Sequence, residues 1–254
     1  MTSENEWQSK VAIVTGGSSG IGRAVALALV ARGANVVITG RDAERLDRVA
    51  AEHDAIESVR ADSADPTSAE RVVRAALSRW DRLDFVVNNA GAGRPLPIES
   101  YDFHAIAGIC AVNIIAPSLL VKEALPALRL TQGAIVNIGT AVSRNAAPML
   151  AHYAATKASL EHLTRAWAME LAGDGIRVNA VAPGPVRSGA LTGMMGLSQE
   201  TAHAVEREEA AQVPLGRRGV TDDIVPWILR LGSPRNEWTT GQVVTVDGGW
   251  SSRT

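Results

Sequence analysis

Short runs of consecutive apolar residues, rich in valine and isoleucine, recur along this chain and alternate with longer segments of helical composition. A strand that is covered on both faces is apolar at consecutive positions, as in parallel sheets packed between helices. The intervening segments, such as 20–33 and 43–53, are rich in Ala, Leu, Arg and Glu. This alternation predicts an α/β fold with a doubly wound parallel sheet. The predicted strands lie at 10–17, 34–41, 57–62, 83–91, 133–140, 176–184 and 242–249.

The chain contains no repeat, low-complexity tract or linker, so we expect one domain over 1–254. Asp65-Pro66 places a proline in the first turn of the helix that follows. Pro117 and Pro126 are expected to bend or divide the helices between 95 and 130. The segment 185–218 interrupts the strand–helix rhythm just after a strand end. It is expected to be either a lid, at about 187–215, or an ordinary surface excursion.

Composition narrows the classes of partner. A formal net charge of -2 makes nucleic acid or an anionic membrane an unexpected partner. No apolar run approaches the roughly 20 residues that span a bilayer, and the polar N-terminus does not resemble a signal peptide. The single cysteine, Cys110, suits a reducing cytoplasm, where we expect the protein to reside. The five histidines form no ligand-spaced cluster, so we expect no metal.

A glycine-rich turn, Thr15–Gly22, follows the first predicted strand and opens the first predicted helix. Glycine lets the backbone turn tightly and approach a pyrophosphate closely. The helix N-terminus then offers unpaired N–H groups and a partial positive charge to the phosphates. The spacing is G-x-x-x-G-x-G, and the alternative is a structural turn without a ligand.

Six motifs together make the chain resemble the short-chain dehydrogenase/reductase family. They follow the order of that family and cover nearly the whole chain: TGGSSGIG at 15–22, NNAG at 88–91, Asn113, YAATK at 153–157, PGPV at 183–186 and VDGG at 246–249. The resemblance implies a Rossmann-type sheet of about seven strands in the order 3-2-1-4-5-6-7. It also implies a nicotinamide cofactor, a dinucleotide-binding half at about 8–95, a catalytic half at about 96–254, and a homotetramer or homodimer.

The end of the second predicted strand bears on the choice of cofactor. An acidic residue there usually holds the adenosine ribose, but Gly40 occupies that position. Arg41 can form a bidentate pair with a 2′-phosphate, which favours NADP(H). Asp42 follows at once, and Ser19 stands where many NADP-using relatives carry a basic residue, so NAD(H) stays the alternative.

The resemblance implies further cofactor contacts around the site. These are Gly16, Ser18, Ser19 and Ile21 in the glycine turn, Asp62 and Ser63 at the adenine, Asn89, Ala90 and Gly91 along the adenosine ribose, Tyr153 and Lys157 at the nicotinamide ribose, and Pro183, Gly184, Val186 and Ser188 at the carboxamide.

Tyr153 and Lys157 are the candidate catalytic pair. Hydride transfer to a ketone needs an acid near the oxygen and donors aimed at it. On a helix the two residues stand at i and i+4, so the ammonium can lower the phenol pKa from near 10. The alternative is an exposed Tyr/Lys pair without chemistry.

The resemblance adds two residues to this pair. Thr140 stands where the family carries a serine, thirteen residues before the tyrosine, and it keeps the hydroxyl. Ser143 is a possible substitute donor. Asn113 matches the asparagine that holds a helix kink open and, with the lysine, anchors a water. Substrate choice is expected to depend on Arg94 and on the segments 141–150 and 189–199.

The sequence thus predicts an NADP(H)-dependent oxidoreductase acting on a small-molecule carbonyl or secondary alcohol. It resembles 3-oxoacyl-carrier-protein reductases, from which Thr140 and the segment 143–152 depart. One alternative is an NAD-dependent catabolic alcohol or sugar dehydrogenase. Another is a dinucleotide-binding protein without catalysis. The presence of both the tyrosine and the lysine in this chain argues against that alternative.

Overall fold

The structure, a computed structural model, describes residues 6–145 and 147–252. Seven parallel strands form one sheet in the order β3-β2-β1-β4-β5-β6-β9. The strand bounds are β1 Val11–Val14, β2 Asn35–Gly40, β3 Ile56–Arg60, β4 Phe85–Asn88, β5 Ala134–Ile138, β6 Arg177–Pro183 and β9 Val243–Val246.

The predicted strands and their order are confirmed. The last strand of the sheet is the ninth in the chain because two short strands, β7 Val186–Arg187 and β8 Gly219–Val220, pair with each other outside it. β1, β4 and β5 are buried at every position. Their consecutive apolar residues therefore face helices on both sides, as the pattern predicted.

Helices cover both faces of the sheet. The bounds are α1 Gly20–Val30, α2 Ala43–Ala50, α3 Ser68–Trp80, α4 Phe103–Cys110, α5 Ala116–Thr131, α6 Ala151–Leu171, α7 Ala190–Gly193, α8 Gln199–Gln212 and α9 Thr221–Gly232. Buried side chains of α1, α2 and α9 pack in one core cluster, and those of α3, α5 and α6 pack in a second. The sheet thus lies between two helical layers, and all its strands end at one common edge.

Two predictions about proline need correction. Pro66 lies before α3, since the helix begins at Ser68 and Thr67 is its N-cap. Pro126 does not divide its helix, because α5 continues through it to Thr131. A five-residue π-helical turn, Ala111–Ile115, joins α4 to α5 and lies on the N-terminal side of Pro117.

The joined helices correct a third expectation. The stretch Phe103–Thr131 has 29 residues and a mean hydropathy of 1.9 over its most apolar window, which suffices by length and composition to cross a membrane. Only 28% of that window is buried inside the chain. Apolar helices that pack on a protein core pass the same test, and α5 contributes Leu120, Val121 and Ala124 to the second core cluster.

The segment 185–218 leaves the sheet and forms β7, α7 and α8 before β8. Arg218 holds this segment by hydrogen bonds and ion pairs, and only 4% of this residue is exposed. Its guanidinium donates to the Val186 carbonyl at 3.0 Å and pairs with Glu206 and, at 3.0 Å, with Glu209 of α8. A buried arginine with two carboxylate partners thus ties α8 to the end of the sheet.

Candidate active site

Glycines of the turn Thr15–Gly22 lie so close to neighbouring groups that a side chain on them would clash. Gly16 and Gly20 adopt left-handed φ angles of +66° and +54°. A Cβ on Gly22 would lie 2.4 Å from both Asn89 Nδ2 and the Gly16 carbonyl oxygen. α1 begins at Gly20, and its N-cap, Ser19, makes no side-chain hydrogen bond to the helix. The first-turn N–H groups therefore remain available to an anion.

Thr15 and Asn89 hold the glycine turn through hydrogen bonds. The Thr15 hydroxyl accepts from the Asn89 N–H at 3.0 Å and the Ala90 N–H at 2.9 Å. The Asn89 amide donates to the Thr15 carbonyl at 2.8 Å and also contacts the Gly16 carbonyl. The Asn89 side chain is thus committed to the glycine turn. The sequence reasoning missed the role of Thr15, since nothing in a lone threonine reveals which backbone groups it will meet.

The carboxyl ends of β1 to β4 surround a cleft with about 470 Å³ of empty space. Apolar atoms dominate its wall, which suits a flat ring such as adenine. Thr15, Ala61, Ser63, Ala90 and Val112 are among the lining residues. Ser63 thus lines this cleft, whereas Asp62 is exposed and accepts from the Ala64 N–H at 3.0 Å.

Basic groups gather at the end of β2. Gly40 leaves room beside Ser18, whose hydroxyl would lie 3.3 Å from a Cβ at that position. Arg41 is exposed, and its guanidinium bonds to no described residue. Arg60, at the end of β3, donates from Nε to the Arg41 carbonyl at 3.3 Å, so its guanidinium lies beside the backbone of Arg41. The strand order makes these neighbours, which is why the sequence alone did not reveal Arg60.

The described contacts of the Asp42 side chain are made with α2. Asp42 is the N-cap of that helix, where it accepts from the Arg45 N–H at 3.1 Å. Its other oxygen pairs with the Arg45 side chain, also at 3.1 Å. The carboxylate that argued for NAD(H) is therefore engaged within α2.

The candidate catalytic side chains converge at the end of β5. Tyr153 and Lys157 stand one turn apart on α6 and are only 8% and 3% exposed. Thr140 follows β5, is 7% exposed, and its hydroxyl lies close enough to the Tyr153 phenol to act on the pKa of that group. Lys157 Nζ donates to the Ile138 carbonyl at 2.7 Å. The alternative of an exposed Tyr/Lys pair is therefore wrong.

Burial dominates the acid–base properties of this pair. It raises the pKa of Tyr153 above 10.0, and the hydrogen bond from Thr140 opposes that effect only in part. Burial also lowers the pKa of Lys157 to about 8, against the opposing charge of Glu161. The pKa of the Tyr153 phenol is thus raised, whereas the neighbouring lysine was expected to lower it.

Asn113 lies in the π-helical turn and is fully buried. Its Oδ1 accepts from the Ala92 N–H at 2.8 Å, and its Nδ2 donates to the Ala92 carbonyl at 2.8 Å and to Thr156 Oγ1 at 2.9 Å. The side chain thus joins the irregular segment after β4 to α6. A π-helical turn breaks the regular i→i−4 ladder, as the expected kink requires.

The loop after β6 approaches the glycine turn. A Cβ on Gly20 would lie 2.8 Å from the Ser188 carbonyl oxygen, and one on Gly184 would lie 2.5 Å from Asp247 Cβ. Pro183 ends β6, and Val186 begins β7 two residues beyond Gly184. Residues 183–188 therefore border the same edge of the sheet as the glycine turn.

Two methionines cover the catalytic centre. A Cβ on Gly93 would lie 2.7 Å from Tyr153 Cδ2 and 3.0 Å from Met195 Cε. A Cβ on Gly91 would lie 3.5 Å from Lys157 Nζ and 3.6 Å from Met194 Sδ. The end of α7 therefore lies over Tyr153 and Lys157 and presents an apolar, adaptable surface to them.

Ser143 and Glu161 complete the surroundings of Thr140. The Ser143 hydroxyl lies 2.7 Å from Glu161 Oε1 and 2.7 Å from the Thr140 carbonyl oxygen. It is therefore engaged beneath the turn rather than free as a substitute donor. Within residues 6–145 and 147–252, no group of three His, Cys, Asp or Glu side chains could hold a metal ion.

A parallel sheet with an uncapped, glycine-lined helix N-terminus at its carboxyl edge defines a dinucleotide-binding protein of the Rossmann type. Comparison with known proteins makes this assignment specific. Residues 16–251 match the family model described as enoyl-(acyl carrier protein) reductase. The chain belongs to the short-chain dehydrogenase/reductase family, and it is an oxidoreductase of that family.

Relatives from distant organisms align along nearly the whole chain. The short-chain dehydrogenase/reductase FrzI of a Cladobotryum species is 37% identical over 94% of this chain and 95% of its own. The 3-oxoacyl-[acyl-carrier-protein] reductase FabG of Thermotoga maritima is 31% identical over 95% of this chain and 98% of its own. A 3-ketoacyl-(acyl-carrier-protein) reductase from Brucella melitensis, solved with NADH, is 32% identical with a TM-score of 0.87, covering 96% of this chain and 99% of that one.

Proposed function

We propose that the protein is an NADP(H)-dependent carbonyl reductase that uses Tyr153 as its general acid. The observation that carries this proposal is the convergence of Tyr153, Lys157 and Thr140, all buried, at the sheet edge that also holds the glycine turn. The nicotinamide supplies or accepts the hydride when it is bound. The side chains supply the proton and the donors that stabilise the developing alkoxide.

The acid–base state of Tyr153 favours the reductive direction. Because burial raises the pKa of this phenol above 10.0, it carries its proton at neutral pH. A protonated phenol beside a carbonyl oxygen is a ready proton donor. The Thr140 hydroxyl has one proton, which it can turn from the phenol to the carbonyl oxygen, so that this oxygen meets a second donor beside Tyr153.

Lys157 and Asn113 support the tyrosine from two sides. The lysine, held at the end of β5, lies where it can hold the nicotinamide ribose and stabilise the phenolate left after proton transfer. The amide of Asn113 is committed to Ala92 and Thr156, so it acts by fixing the backbone of the π-helical turn. Catalysis by these residues is consistent with the family to which the chain belongs.

The preference for NADP(H) rests on the end of β2. An adenosine 2′-phosphate would meet Ser18, Arg41 and the neighbouring Arg60, with no free carboxylate from Asp42 to repel it. Guanidinium groups bind phosphate by charge-assisted, bidentate hydrogen bonds. The solved relative that contains NADH keeps NAD(H) as the competing cofactor.

The substrate we propose is a small-molecule ketone with apolar groups next to the carbonyl. Met194 and Met195 provide the apolar cover over the tyrosine, and α7 with α8 forms the lid. Residues 8–95 would bind the dinucleotide, and residues 96–254 would supply catalysis and substrate binding. The relatives named as 3-oxoacyl-carrier-protein reductases suggest a β-keto group, although the methyl of Thr140 restricts the space beside it.

We also propose a cytoplasmic homotetramer or homodimer. Phe103, Ile115 and Met169 are exposed apolar residues on or beside α4 to α6, and Trp238 precedes β9. Contact with another copy of the chain would remove these side chains from water, and soluble oligomers are mostly symmetric.

Cofactor oxidation by the purified protein tests the proposal. NADPH and NADH are supplied separately with a panel of ketones, diketones, quinones, aldehydes and a β-keto thioester, and absorbance of the reduced nicotinamide is followed. We expect turnover of at least one ketone, with NADPH preferred. Faster turnover with NADH would overturn the cofactor assignment, and binding without turnover across the panel would support a protein without catalysis.

A further inference from the structure

A buried carboxylate lies beside the proposed catalytic residues. Glu161 stands on α6 four residues after Lys157 and eight after Tyr153, so the three side chains share one face of the helix. Only 7% of Glu161 is exposed. Ionised carboxylates are rarely buried unless a partner compensates for lost hydration.

Contacts from the end of β5 hold this carboxylate in place. Its Oε1 accepts from the Ser143 hydroxyl at 2.7 Å. A Cβ on Gly139 would lie 3.0 Å from the same oxygen, so the absence of a side chain there lets the carboxylate approach the strand. Glu161 therefore lies against the turn that carries Thr140, rather than reaching towards solvent.

Glu161 is the charge that acts on Lys157 among the described residues. Lys157 Nζ also donates to the Ile138 carbonyl at the end of β5. Gly91 lies near it, since a Cβ there would be 3.5 Å from Lys157 Nζ and 3.6 Å from Asn113 Oδ1. Ala182 of β6 lies near the same part of the strand as Glu161, since a Cβ on Gly139 would be 3.6 Å from Ala182 Cβ. The described contacts of Lys157 thus bring one opposite charge to it.

We propose that Glu161 is a positioning residue of the reaction, which acts through Lys157 by keeping its ammonium charged in a buried site. The inference rests on the proposed function for its catalytic meaning. Burial alone would favour the neutral amine, and the negative charge of Glu161 opposes that effect on the pKa of Lys157. Ser143 and Gly139 fix the carboxylate where this attraction operates.

Direct titration of Lys157 tests the inference in the cofactor-free protein. The chain has only three lysines, Lys10, Lys122 and Lys157. Lysine labelled with carbon-13 at Cε therefore gives three resolvable titrations by NMR, and the resonance missing from Lys157→Arg identifies the one of interest. Its midpoint in the wild type is expected at about 8.

The informative variant is Glu161→Gln, which removes the charge and keeps an oxygen that Ser143 can donate to. We expect the Lys157 midpoint to fall by about one pH unit. Glu170→Gln is the matched control, because Glu170 is an exposed glutamate on the same helix. Should Glu161→Gln not fold, Glu161→Met removes the same charge with an apolar chain of similar length and is expected to give the same fall. An unchanged midpoint in the folded neutral variant would overturn the inference.

Activity against pH supplies the second readout. In Glu161→Gln the fall of kcat at alkaline pH should begin lower by about one pH unit, while the rates of variant and wild type converge at acidic pH. Glu161→Asp, which restores the charge, should return the profile towards that of the wild type. A uniform loss at every pH would indicate a structural role and contradict the inference. Absence of any reductase activity in the wild type would refute the proposed function, yet the NMR titration would still decide the effect of Glu161.

Discussion

The hydroxyl of Thr140, at the end of β5, acts on the phenol of Tyr153, in the first turn of α6, and opposes the rise that burial causes in the pKa of that phenol. Both groups are buried, so a carbonyl oxygen placed between them would meet two donors without competition from water. Because threonine here takes the position of the family serine, this pair is the part of the proposed mechanism most particular to this chain.

Thr140→Ser should keep activity, since the hydroxyl is retained. Thr140→Ala should lower kcat by roughly a hundredfold, the usual cost of losing one donor to a developing oxyanion. Steady-state kinetics with the best ketone of the panel measure both. Ser143→Ala is the control and should keep most activity, because that hydroxyl is already engaged with Glu161. If Thr140→Ala were fully active, the donor would lie elsewhere.

Arg41→Ala should weaken NADPH binding and leave NADH binding nearly unchanged. One charge-assisted hydrogen bond contributes about 2 kcal/mol, which corresponds to roughly a thirtyfold loss of affinity. Fluorescence titration with each cofactor measures the effect, and Arg60→Ala should act in the same direction. Arg48→Ala, an exposed arginine within α2, is the control. Equal losses for NADPH and NADH would contradict a contact with the 2′-phosphate.

Gly22→Ala should destabilise the protein and weaken dinucleotide binding. Its new Cβ would overlap Asn89 Nδ2 and the Gly16 carbonyl oxygen, both at 2.4 Å, so the glycine turn must shift. Overpacking of this kind costs about 1–3 kcal/mol. Thermal unfolding and cofactor titration measure the two effects. Gly173→Ala is the control, since nothing lies within 4 Å of its Cβ position. Unchanged cofactor affinity in Gly22→Ala would argue against a phosphate site at this turn.

The reductase rate should decline as pH rises through about 8. Below that value the Lys157 ammonium is charged and can stabilise the phenolate, and above it the neutral amine cannot. The pKa of Tyr153 is raised, so its proton stays in place over this range. A profile of kcat against pH measures the decline. A rate that stayed constant to pH 10 would contradict control by Lys157 at the value of about 8.

The lowered pKa of Lys157 should also make the free energy of unfolding depend on pH. Lys157 has a pKa of about 8 when folded and near 10.5 otherwise, so the unfolded chain binds more protons between these values. The free energy of unfolding should therefore gain a contribution that increases with pH across that window. Lys157→Met should lack this contribution, which denaturant unfolding of both proteins at several pH values can measure.

Much of the fold followed from patterns that are local in the chain. Consecutive apolar residues marked the strands, and the glycine spacing marked the turn before α1, because both depend on near neighbours. Pro126 was expected to bend or divide its helix, and it does not divide α5, which continues through it to Thr131. The apolar stretch Phe103–Thr131 was also missed, because it arises only when α4, the π-helical turn and α5 join end to end.

Residues of the candidate site could be predicted where a local motif identifies them. They could not be predicted where a contact depends on segments that are distant in the sequence. Tyr153, Lys157 and Thr140 were found by spacing and resemblance, and the structure brings them together. Arg60 reaches the end of β2 only because β3 pairs with that strand. Glu161 meets Ser143 only because α6 packs on the end of β5. The pKa of Tyr153 depends on burial, which its i,i+4 spacing to Lys157 does not report.

The most direct test of the account compares Tyr153→Phe with the wild type. The variant removes one hydroxyl and keeps the ring that packs on Gly93. We expect kcat to fall by about a thousandfold, within the range for a lost general acid, while NADPH affinity stays within about twofold. Turnover by Tyr153→Phe at the wild-type rate would contradict it.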